Sequence, residues 1–561
     1  MAKNYPGSTQ VFDAIVVGSG ATGGWAAKEL TEAGLRVALV EAGRMLHPEK
    51  DFTEHVIPYQ VRYRGYSPLI SKTRPIQVRC YACMEYNYDW FVNDFDSPYV
   101  QVPGKPVNWF RLRILGGRSL VWGRQSYRLS NLDFKAASHD GYGEDWPISY
   151  EELAPYYDKA ERFVGVSGAR EDVPQLPDGQ FQPAMPMTCG ELMLRKAVKQ
   201  KFGRTITIGR TANLTAPLNG RAPCHYCGPC ERGCTTHSYF NSPTTTIAAA
   251  QATGRLTLMT DSVVSHVTMD MDSNKATGIR YVDHVTREVK ELRGRVVVLC
   301  AQSLESVRIL LNSANRQYPN GLANSSGVLG HYLMDHVTGF GAHGIMPMLE
   351  TRPWAGPPRR PDGIYVIRFR NVTTRDKNFI RGYGYQGGSA PEFDYEAEGF
   401  GKEFKERVKQ GFWRIGMGGF GECLARWDNY CELDRNVVDA WGVPALKIVA
   451  AYGENERKMG HDMAVSAAEM LEAAGAKNIE MSDHINPFGH AIHETGVARM
   501  GNDAKTSVLN KYCQSHDVKN LFVMDGSSFV SSACQNPTLT MMAILCHGCD
   551  YLTEQARKGL L

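Results

Sequence analysis

The stretch that decides the fold is "DAIVVGSGATGGWAAKELTEAGLRVALVE", residues 13–41. After Asp13, its next four residues are apolar, and "DAIVV" predicts a short buried strand. The following segment, "ATGGWAAKELTEAG", predicts a helix that ends at Gly34, and "RVALVE" predicts a second strand. The chain therefore opens with a βαβ unit, and an α/β fold is expected.

The turn between the first strand and the helix, "GSGATG", supplies Gly18, Gly20 and Gly23, and Glu41 ends the second strand. Glycines in this context let the backbone approach a pyrophosphate, whose charge faces the helix N-terminus. A carboxylate about 20 residues later accepts hydrogen bonds from the adenosine ribose. The stretch therefore predicts a dinucleotide-binding site, and this pattern alone does not separate FAD from NAD.

Composition excludes several classes of partner. The chain has 561 residues, and 62 Lys plus Arg against 59 Asp plus Glu give a net charge of +3. No basic block is present, so neither nucleic acid nor anionic lipid is an expected partner. The apolar runs "RVVVLCA" and "TLTMMAILC" are far shorter than the roughly 20 residues of a membrane helix, so no direct membrane insertion is expected.

Further along the chain the amino-acid composition and patterning change twice. Residues 46–110 are aromatic and irregular, which favours an insertion or lid. Residues 256–314 return to strands and an amphipathic helix, whereas about 340–484 is rich in Gly and aromatic residues. We therefore predict a discontinuous nucleotide-binding domain over residues 1–50, 105–165, 215–339 and 485–561. An insertion or lid is predicted over residues 51–104, and a substrate-binding domain over residues 166–214 and 340–484.

Five further blocks resemble, in order, the glucose-methanol-choline (GMC) oxidoreductase family. They are "RLRILGGRSLVWG" (111–123), "VVVLCAQSLESVRILLNSA" (296–314), "NSSGVLGHYLMDH" (324–336), "HETGVARMG" (493–501) and "NLFVMDGSSFVSSACQNPTLTMMA" (520–543). Within that family the chain is most similar to bacterial sugar dehydrogenases, such as those for fructose, glucose and glucoside 3-oxidation, with pyranose oxidases as cousins. The resemblance implies a GMC fold: a Rossmann-like FAD-binding domain and a substrate domain of a sheet plus helices.

The resemblance also implies a catalytic pair. His493 occupies the family's catalytic histidine position, and Asn536 occupies a second position that is His or Asn in different members. Oxidising an alcohol removes the hydroxyl proton while hydride leaves carbon for flavin N5, and a histidine suits the proton transfer. Asn536 can donate to the substrate oxygen and orient it.

The same resemblance implies contacts with FAD. Gly116 and Gly117 are expected beside the isoalloxazine, Asp525 and Gly526 near the ribityl and pyrophosphate, and Pro537 and Thr538 near the pyrimidine edge. Pyranose 2-oxidases bind flavin covalently through a histidine, and this chain has Val121 at the corresponding position. Non-covalent FAD is therefore predicted.

A cysteine run, "CHYCGPCERGC", places Cys224, Cys227, Cys230 and Cys234 in one loop. The spacing C-x2-C-x2-C-x3-C matches bacterial iron–sulfur loops, although Thr235 replaces the usual proline after the last cysteine. Zinc sites usually use two separated pairs, so an iron–sulfur cluster is favoured, either 3Fe-4S or 4Fe-4S. A zinc site or a loop of reduced thiols remains the alternative.

The expected function is oxidation of a secondary hydroxyl of a pyranose or glucoside. Aromatic residues of the Gly-rich segment could stack on a sugar, although core packing is their default: Trp413, Phe420, Trp427, Tyr430 and Trp441. A cluster would pass electrons singly to a cytochrome c or quinone, with a small subunit as partner. The alternatives are a sugar oxidase using oxygen, a non-sugar alcohol dehydrogenase, a lyase of the same fold and a non-enzymatic binding subunit.

Localisation stays open at this point. The N-terminal residues "MAKNYPGSTQVFDAIVVGSG" show no apolar signal region and no twin arginine. Relatives of this branch reach the periplasm by export with a signal-bearing partner. Both a periplasmic and a cytoplasmic location are therefore compatible with the sequence.

Overall fold

The structure is a computed structural model that describes residues 10–56, 60–65, 67–349, 360–373, 375, 378–393 and 398–561. The strands are, in chain order, β1 Val11–Val17, β2 Val37–Val40, β3 Val100–Gln101, β4 Ile206–Ile208, β5 Leu256–Met259, β6 Ser262–Asp270, β7 Lys275–Asp283, β8 Val289–Leu299, β9 Phe340–Ile345, β10 Ile364–Val366, β11 Tyr383–Glu392, β12 Phe412–Gly421, β13 Tyr430–Val438, β14 Pro444–Val449, β15 Lys477–Asp483 and β16 Leu521–Val523. The helices are α1 Ala21–Glu32, α2 Pro48–Asp51, α3 Ile70–Thr73, α4 Asn131–Phe134, α5 Ala136–Asp140, α6 Tyr150–Val164, α7 Cys189–Phe202, α8 Ala248–Ala252, α9 Ser303–Asn312, α10 Gly401–Gln410, α11 Glu454–Ala473 and α12 Thr538–Arg557.

The first sheet has the order β5-β2-β1-β8-β7-β6, and β16 also pairs with β8. β1 lies between β2 and β8 and is parallel to both, in the registers Ala14↔Val37 and Ala14↔Val296. Its residues Ala14–Val16 are fully buried, as expected for a central parallel strand covered on both faces. The carboxyl ends of β1 and β8 therefore meet at one edge, where α/β sheets bind their ligands.

Helix α1 follows β1 directly and contacts α12 and α8. It begins after Gly20, which offers no side-chain cap, so the first backbone N–H groups are free for a ligand. It ends where Gly34, at φ +98°, donates its N–H to Thr31 O at 3.0 Å. The helix end predicted from Gly34 is thus two residues beyond the last helical residue, Glu32.

The second sheet is antiparallel, with the order β15-β9-β12-β11-β10-β4. Helix α11 packs on one face of it, against β9, β12 and β15. On that face a Cβ added to Gly419 would lie 2.4 Å from Met463 Sδ, and one added to Gly421 would lie 2.7 Å from Met459 Cε. These two glycines therefore let the helix approach the strand, and the other face of the sheet is left for the site.

A third, small sheet has the order β13-β14-β3. Residues 46–110, predicted as an irregular insertion, contain short helices, turns and the two-residue β3. Because the second sheet draws strands from both 206–208 and 340–483, it joins the two segments predicted for a substrate domain; the domain boundaries themselves stay a prediction. Among the described residues, no helix has the length and apolar character needed to cross a membrane.

Candidate active site

One cavity of about 520 Å³ lies between the carboxyl ends of β1 and β8 on one side and strands β11 and β12 on the other. Its volume is typical of a site for a small ligand. Most of the residues predicted from the sequence line it: Gly18, Gly20, Glu41, Gly117, His493, Asp525, Gly526, Asn536, Pro537 and Thr538. The structure therefore brings residues from five separate stretches of the chain to one place.

The turn after β1 is built on glycine for three different reasons. Gly18 has φ +94°, and a Cβ there would lie 2.4 Å from Cys300 O. A Cβ on Gly23 would lie 1.8 Å from Gly18 O, so this glycine closes the turn against the helix. Gly20 has no atom within 4 Å of its Cβ position, which leaves space for a ligand at the start of α1.

Glu41 holds this turn from the end of β2. Its Oε2 accepts from Ser19 N at 3.1 Å, and its Oε1 accepts from Gly43 N at 2.8 Å. Burial raises the pKa of Glu41, while these hydrogen bonds oppose the rise. The carboxylate therefore orders the loops on both sides of the cavity, beside the role predicted for it with the ribose.

Two buried donors in the cavity wall fit a nucleotide ligand. Arg113 Nη1 and Gln302 Nε2 are buried and have no hydrogen-bond partner among the described residues. Burying such donors costs about 1–3 kcal/mol each unless an acceptor meets them. Together with the turn at Gly20, they match a ligand rich in acceptor oxygens, as FAD is.

The second glycine pair sits against the same turn. Gly116 has φ +94°, its N–H donates to Ser19 Oγ at 2.8 Å, and its Cβ position is 2.5 Å from Pro243 Cγ. On the other side, Asp525 accepts from Ser527 N at 3.0 Å and from Ser306 Oγ at 2.5 Å, and burial raises its pKa. These contacts pre-form the cavity walls where the resemblance implies the flavin ring and ribityl chain.

His493 is held by its backbone and is half-buried at the cavity wall. Asp335 Oδ1 accepts from His493 N at 2.9 Å, and Asp335 Oδ2 accepts from Ala491 N at 3.1 Å. The residue between them, Ile492, has φ +65°, so the carboxylate stabilises a left-handed turn. Burial, His336 and Arg118 together lower the pKa of His493 well below its usual value, so the imidazole is neutral at neutral pH.

A second histidine determines which nitrogen of His493 carries the proton. His336 Nε2 lies 2.9 Å from Ala533 O, and a carbonyl only accepts, so this nitrogen donates. Burial lowers the pKa of His336 to about 4, so its Nδ1 is an acceptor, and it lies 2.7 Å from His493 Nδ1. His493 must therefore donate from Nδ1 and keep its lone pair on Nε2.

The Nε2 atom of His493 faces the second predicted catalytic residue. Asn536 Nδ2 lies 3.3 Å from it, and Gln386 Nε2 donates to Asn536 Oδ1 at 2.7 Å. The Gln386 contact orients the amide so that its NH₂ group points toward the histidine and the cavity. The result is one acceptor and one donor side by side, which is what an alcohol oxygen and its proton require.

The residues of the opposite wall of the cavity were not predicted from the sequence. Gln125 Nε2 donates to Asp362 Oδ1 at 2.8 Å, and Arg124 Nη2 donates to Pro361 O at 3.2 Å; all four residues line the cavity. Burial raises the pKa of Asp362 to about 6, and Arg124 opposes the rise. Of the aromatic residues considered for stacking on a sugar, Phe420 lines this cavity.

The structure of the cysteine run gives no support to the predicted iron–sulfur cluster. Cys230 and Cys234 are buried and Cys224 and Cys227 are half-buried, and burial raises the pKa of Cys230 to about 12. In the part of the chain that the structure describes, no group of three or more His, Cys, Asp or Glu side chains is arranged to hold a metal ion. The predicted iron–sulfur cluster is therefore not supported by this arrangement.

Comparison with family models decides the affiliation. Residues 12–338 match the N-terminal model described as "GMC oxidoreductase", and residues 426–544 match its C-terminal counterpart. The chain belongs to the GMC oxidoreductase family. GMC proteins bind FAD, and the homologous dehydrogenases act on CH–OH groups, so the chain is an oxidoreductase of this class.

Curated GMC relatives match almost the whole chain. The 2-methyl-1,2-propanediol dehydrogenase of Mycolicibacterium austroafricanum is 29% identical, covering 98% of this chain and 96% of that protein. The fructose dehydrogenase large subunit of Gluconobacter japonicus is 27% identical, covering 98% of each chain. The gluconate 2-dehydrogenase flavoprotein of Pantoea cypripedii is 26% identical, covering 98% and 94%.

Solved structures agree on the GMC fold. Pyridoxine 4-oxidase from Mesorbium loti aligns with a TM-score of 0.60 and 16% identity, covering 96% of this chain and 98% of that chain. A formate oxidase from Aspergillus oryzae aligns with a TM-score of 0.62 and 14% identity, covering 99% and 100%. At these identities the likeness concerns the fold alone.

Proposed function

We propose that the protein oxidises a secondary hydroxyl of a pyranose sugar or glucoside to the keto sugar, with His493 as the base. The observation that carries the proposal is the Nε2 lone pair of His493 beside the Asn536 amide, in the cavity that the flavin-binding turn also lines. FAD, when bound, supplies the acceptor for the hydride that leaves the substrate carbon.

The chain's own residues perform the proton transfer. His493 Nε2 takes the hydroxyl proton, while Asn536 Nδ2 donates to the substrate oxygen and orients the C–H bond. The imidazolium formed keeps its Nδ1–H bonded to His336 Nδ1, so the positive charge appears in a hydrogen-bonded position. The alcohol thus loses one proton to His493 and one hydride, and a ketone remains.

The wall of the cavity supports a hydroxylated substrate. Gln125, Asp362 and Gln386 present amide and carboxylate groups on one side, and Phe420 presents a ring. Amides and carboxylates hydrogen-bond several hydroxyls at once, and an aromatic ring covers the apolar face of a pyranose. Two relatives are named for sugar substrates, fructose and gluconate, which agrees with this chemistry.

Two alternatives have an observation in their favour. A sugar oxidase using oxygen is favoured by the similarity to the paromamine 6'-oxidase of Streptomyces fradiae, at 26% identity. A non-sugar alcohol dehydrogenase is favoured by the similarity to a diol dehydrogenase. The acid–base pair serves all three reactions, so the substrate and the final electron acceptor distinguish them.

No internal route for the electrons is proposed, because no group of side chains around the cysteine loop is arranged to hold a metal ion among the described residues. One relative is a "large subunit", which supports a partner subunit or an external carrier as electron acceptor here as well. We also propose that FAD is held without a covalent bond, since the side chain of Val121 has no nucleophilic atom to bond the flavin.

The test is product analysis on purified holoenzyme. The enzyme is incubated with methyl glucoside, glucose, fructose, gluconate and 2-methyl-1,2-propanediol, with an artificial acceptor or with air, and products are identified by NMR. A keto sugar formed with the artificial acceptor supports the proposal. Turnover of the diol alone would replace it by the alcohol dehydrogenase, and equal turnover in air would replace it by the oxidase.

A further inference from the structure

A second, larger cleft of about 1610 Å³ adjoins the catalytic cavity. Pro361, Asp362 and Gln386 line both spaces, so the cleft and the cavity lie against each other at these residues. The cleft lies on the face of the second sheet opposite helix α11. Strand β12 runs along both the cleft and the catalytic cavity. On one of its faces the cleft is lined by Phe412, Arg414, Gly416 and Gly418, and the cavity by Phe420.

The floor of the cleft is nearly free of side chains. Strand pairing places Gly341, Gly418 and Gln386 in one row across β9, β12 and β11. The next row consists of His343, Gly416 and Gly388. Four of these six positions are therefore glycine, and the exposed sheet surface is flat.

Packing does not account for glycine at position 418. A Cβ added to Gly418 would have no atom within 4 Å, whereas one on the neighbouring Gly419 would meet Met463 of α11 at 2.4 Å. Gly418 also has no left-handed backbone that would demand glycine. The absence of a side chain at 418 thus keeps the cleft open next to Gln386.

The chemistry of the cleft suits a neutral, hydroxylated ligand. Two of its arginines are paired with carboxylates of the same wall, Arg360 with Glu191 and Arg414 with Glu392. Phenyl rings of Phe393 and Phe412 also line it. At the junction, the Asp362 carboxylate accepts from Gln125 Nε2 at 2.8 Å and interacts with Thr211, and a ligand hydroxyl can donate to the same group.

We propose that this cleft binds a second sugar unit, so that the enzyme acts on a disaccharide whose reacting ring lies at His493. The inference rests on the proposed function and adds the substrate class. Asp362 accepts from a hydroxyl near the linkage between the two units, and the glycine floor receives the second ring. A substrate consisting of one ring leaves the cleft empty.

The test compares methyl glucoside with cellobiose and maltose on the holoenzyme of wild type and Gly418→Leu. Thr277→Leu, at an exposed position of β7 in the first sheet, is the matched control. We expect kcat/KM for at least one disaccharide to exceed that for methyl glucoside about ten-fold, equivalent to ~1.4 kcal/mol of binding. Gly418→Leu should remove that advantage and leave methyl glucoside oxidation unchanged.

Binding is measured separately by calorimetry on chemically reduced, anaerobic holoenzyme, which cannot turn over. If disaccharide binding weakens in Gly418→Leu but no sugar reduces the flavin, the cleft assignment stands and the proposed function fails. If methyl glucoside is oxidised but disaccharides bind no better and Gly418→Leu has no effect, the cleft assignment is overturned. If no sugar binds or reacts, both are overturned.

Discussion

Replacing His336 by Leu should weaken His493 as a base although His493 itself is unchanged. His336 Nδ1 lies 2.7 Å from His493 Nδ1; the His336 ring is buried, and His493 is half-buried with its Nδ1 turned toward His336. Leucine fills the space but removes the acceptor, so the Nδ1–H of His493 is left buried and unpaired. The imidazole avoids this cost by moving the proton to Nε2, where it occupies the lone pair that the substrate hydroxyl needs.

The size of the effect follows from the cost of that unpaired donor. An unsatisfied buried N–H costs about 1–3 kcal/mol, and each 1.4 kcal/mol changes a ratio ten-fold, so flavin reduction should slow by roughly 5- to 150-fold. His336→Asn keeps an acceptor oxygen near the Nδ1 position and should recover part of the rate. His266→Leu, on β6 and away from the cavity, is the matched control.

The assay is anaerobic stopped-flow absorbance of the flavin with methyl glucoside, alongside flavin content and Tm. The expected variant retains flavin and reduces it slowly. A His336→Leu enzyme within two-fold of wild type would refute the proton assignment. If His336→Asn is as slow as His336→Leu, the effect is one of packing, and the acceptor has no role.

Other predictions follow from single contacts. Gly23→Ala should lower both Tm and flavin content because its Cβ would clash with the turn at 1.8 Å, whereas Gly20→Ala should keep the fold and lower flavin affinity only, as a flavin titration of the apoprotein would show. Asn536→Ala should slow anaerobic flavin reduction about ten- to hundred-fold at unchanged flavin content, since the substrate oxygen loses its donor. In the unfolded chain His336 binds a proton below pH 6.5, whereas in the folded chain it does so only near pH 4. The free energy of unfolding should therefore fall by up to about 3 kcal/mol as the pH drops through that window. The Tm of His336→Leu should fall less steeply with acid than that of wild type. Because Val121 provides no covalent anchor, acid precipitation should release all the flavin into the supernatant.

Local patterns were sufficient to predict the cofactor half of the fold. The predicted strand over 13–17 lies within Val11–Val17, and the helix after it ends two residues before Gly34. Both depend on neighbours in sequence: an apolar run, a glycine turn and a glycine stop. The blocks that resemble the GMC family carried the other predicted residues that line the cavity, because each block is itself continuous.

Long-range geometry was not predictable in the same way. His336 is 157 residues from His493, and only the fold reveals that their Nδ1 atoms meet. Gln386 belongs to a Gly-rich strand in which nothing distinguishes it from a surface residue until the pairing with Gly418 places it at the cavity. The iron–sulfur cluster was predicted from cysteine spacing alone, and no metal-holding group among the described residues supports it.

The most direct measurement of the central claim compares wild type with His493→Gln by anaerobic mixing with methyl glucoside, following the visible absorbance of the flavin. Wild type should bleach, and the variant should retain its flavin and bleach at least about 100-fold more slowly, because it lacks the base. Equal rates in the two proteins would contradict the role of His493. Failure of wild type to bleach with any pyranose would contradict the proposed reaction.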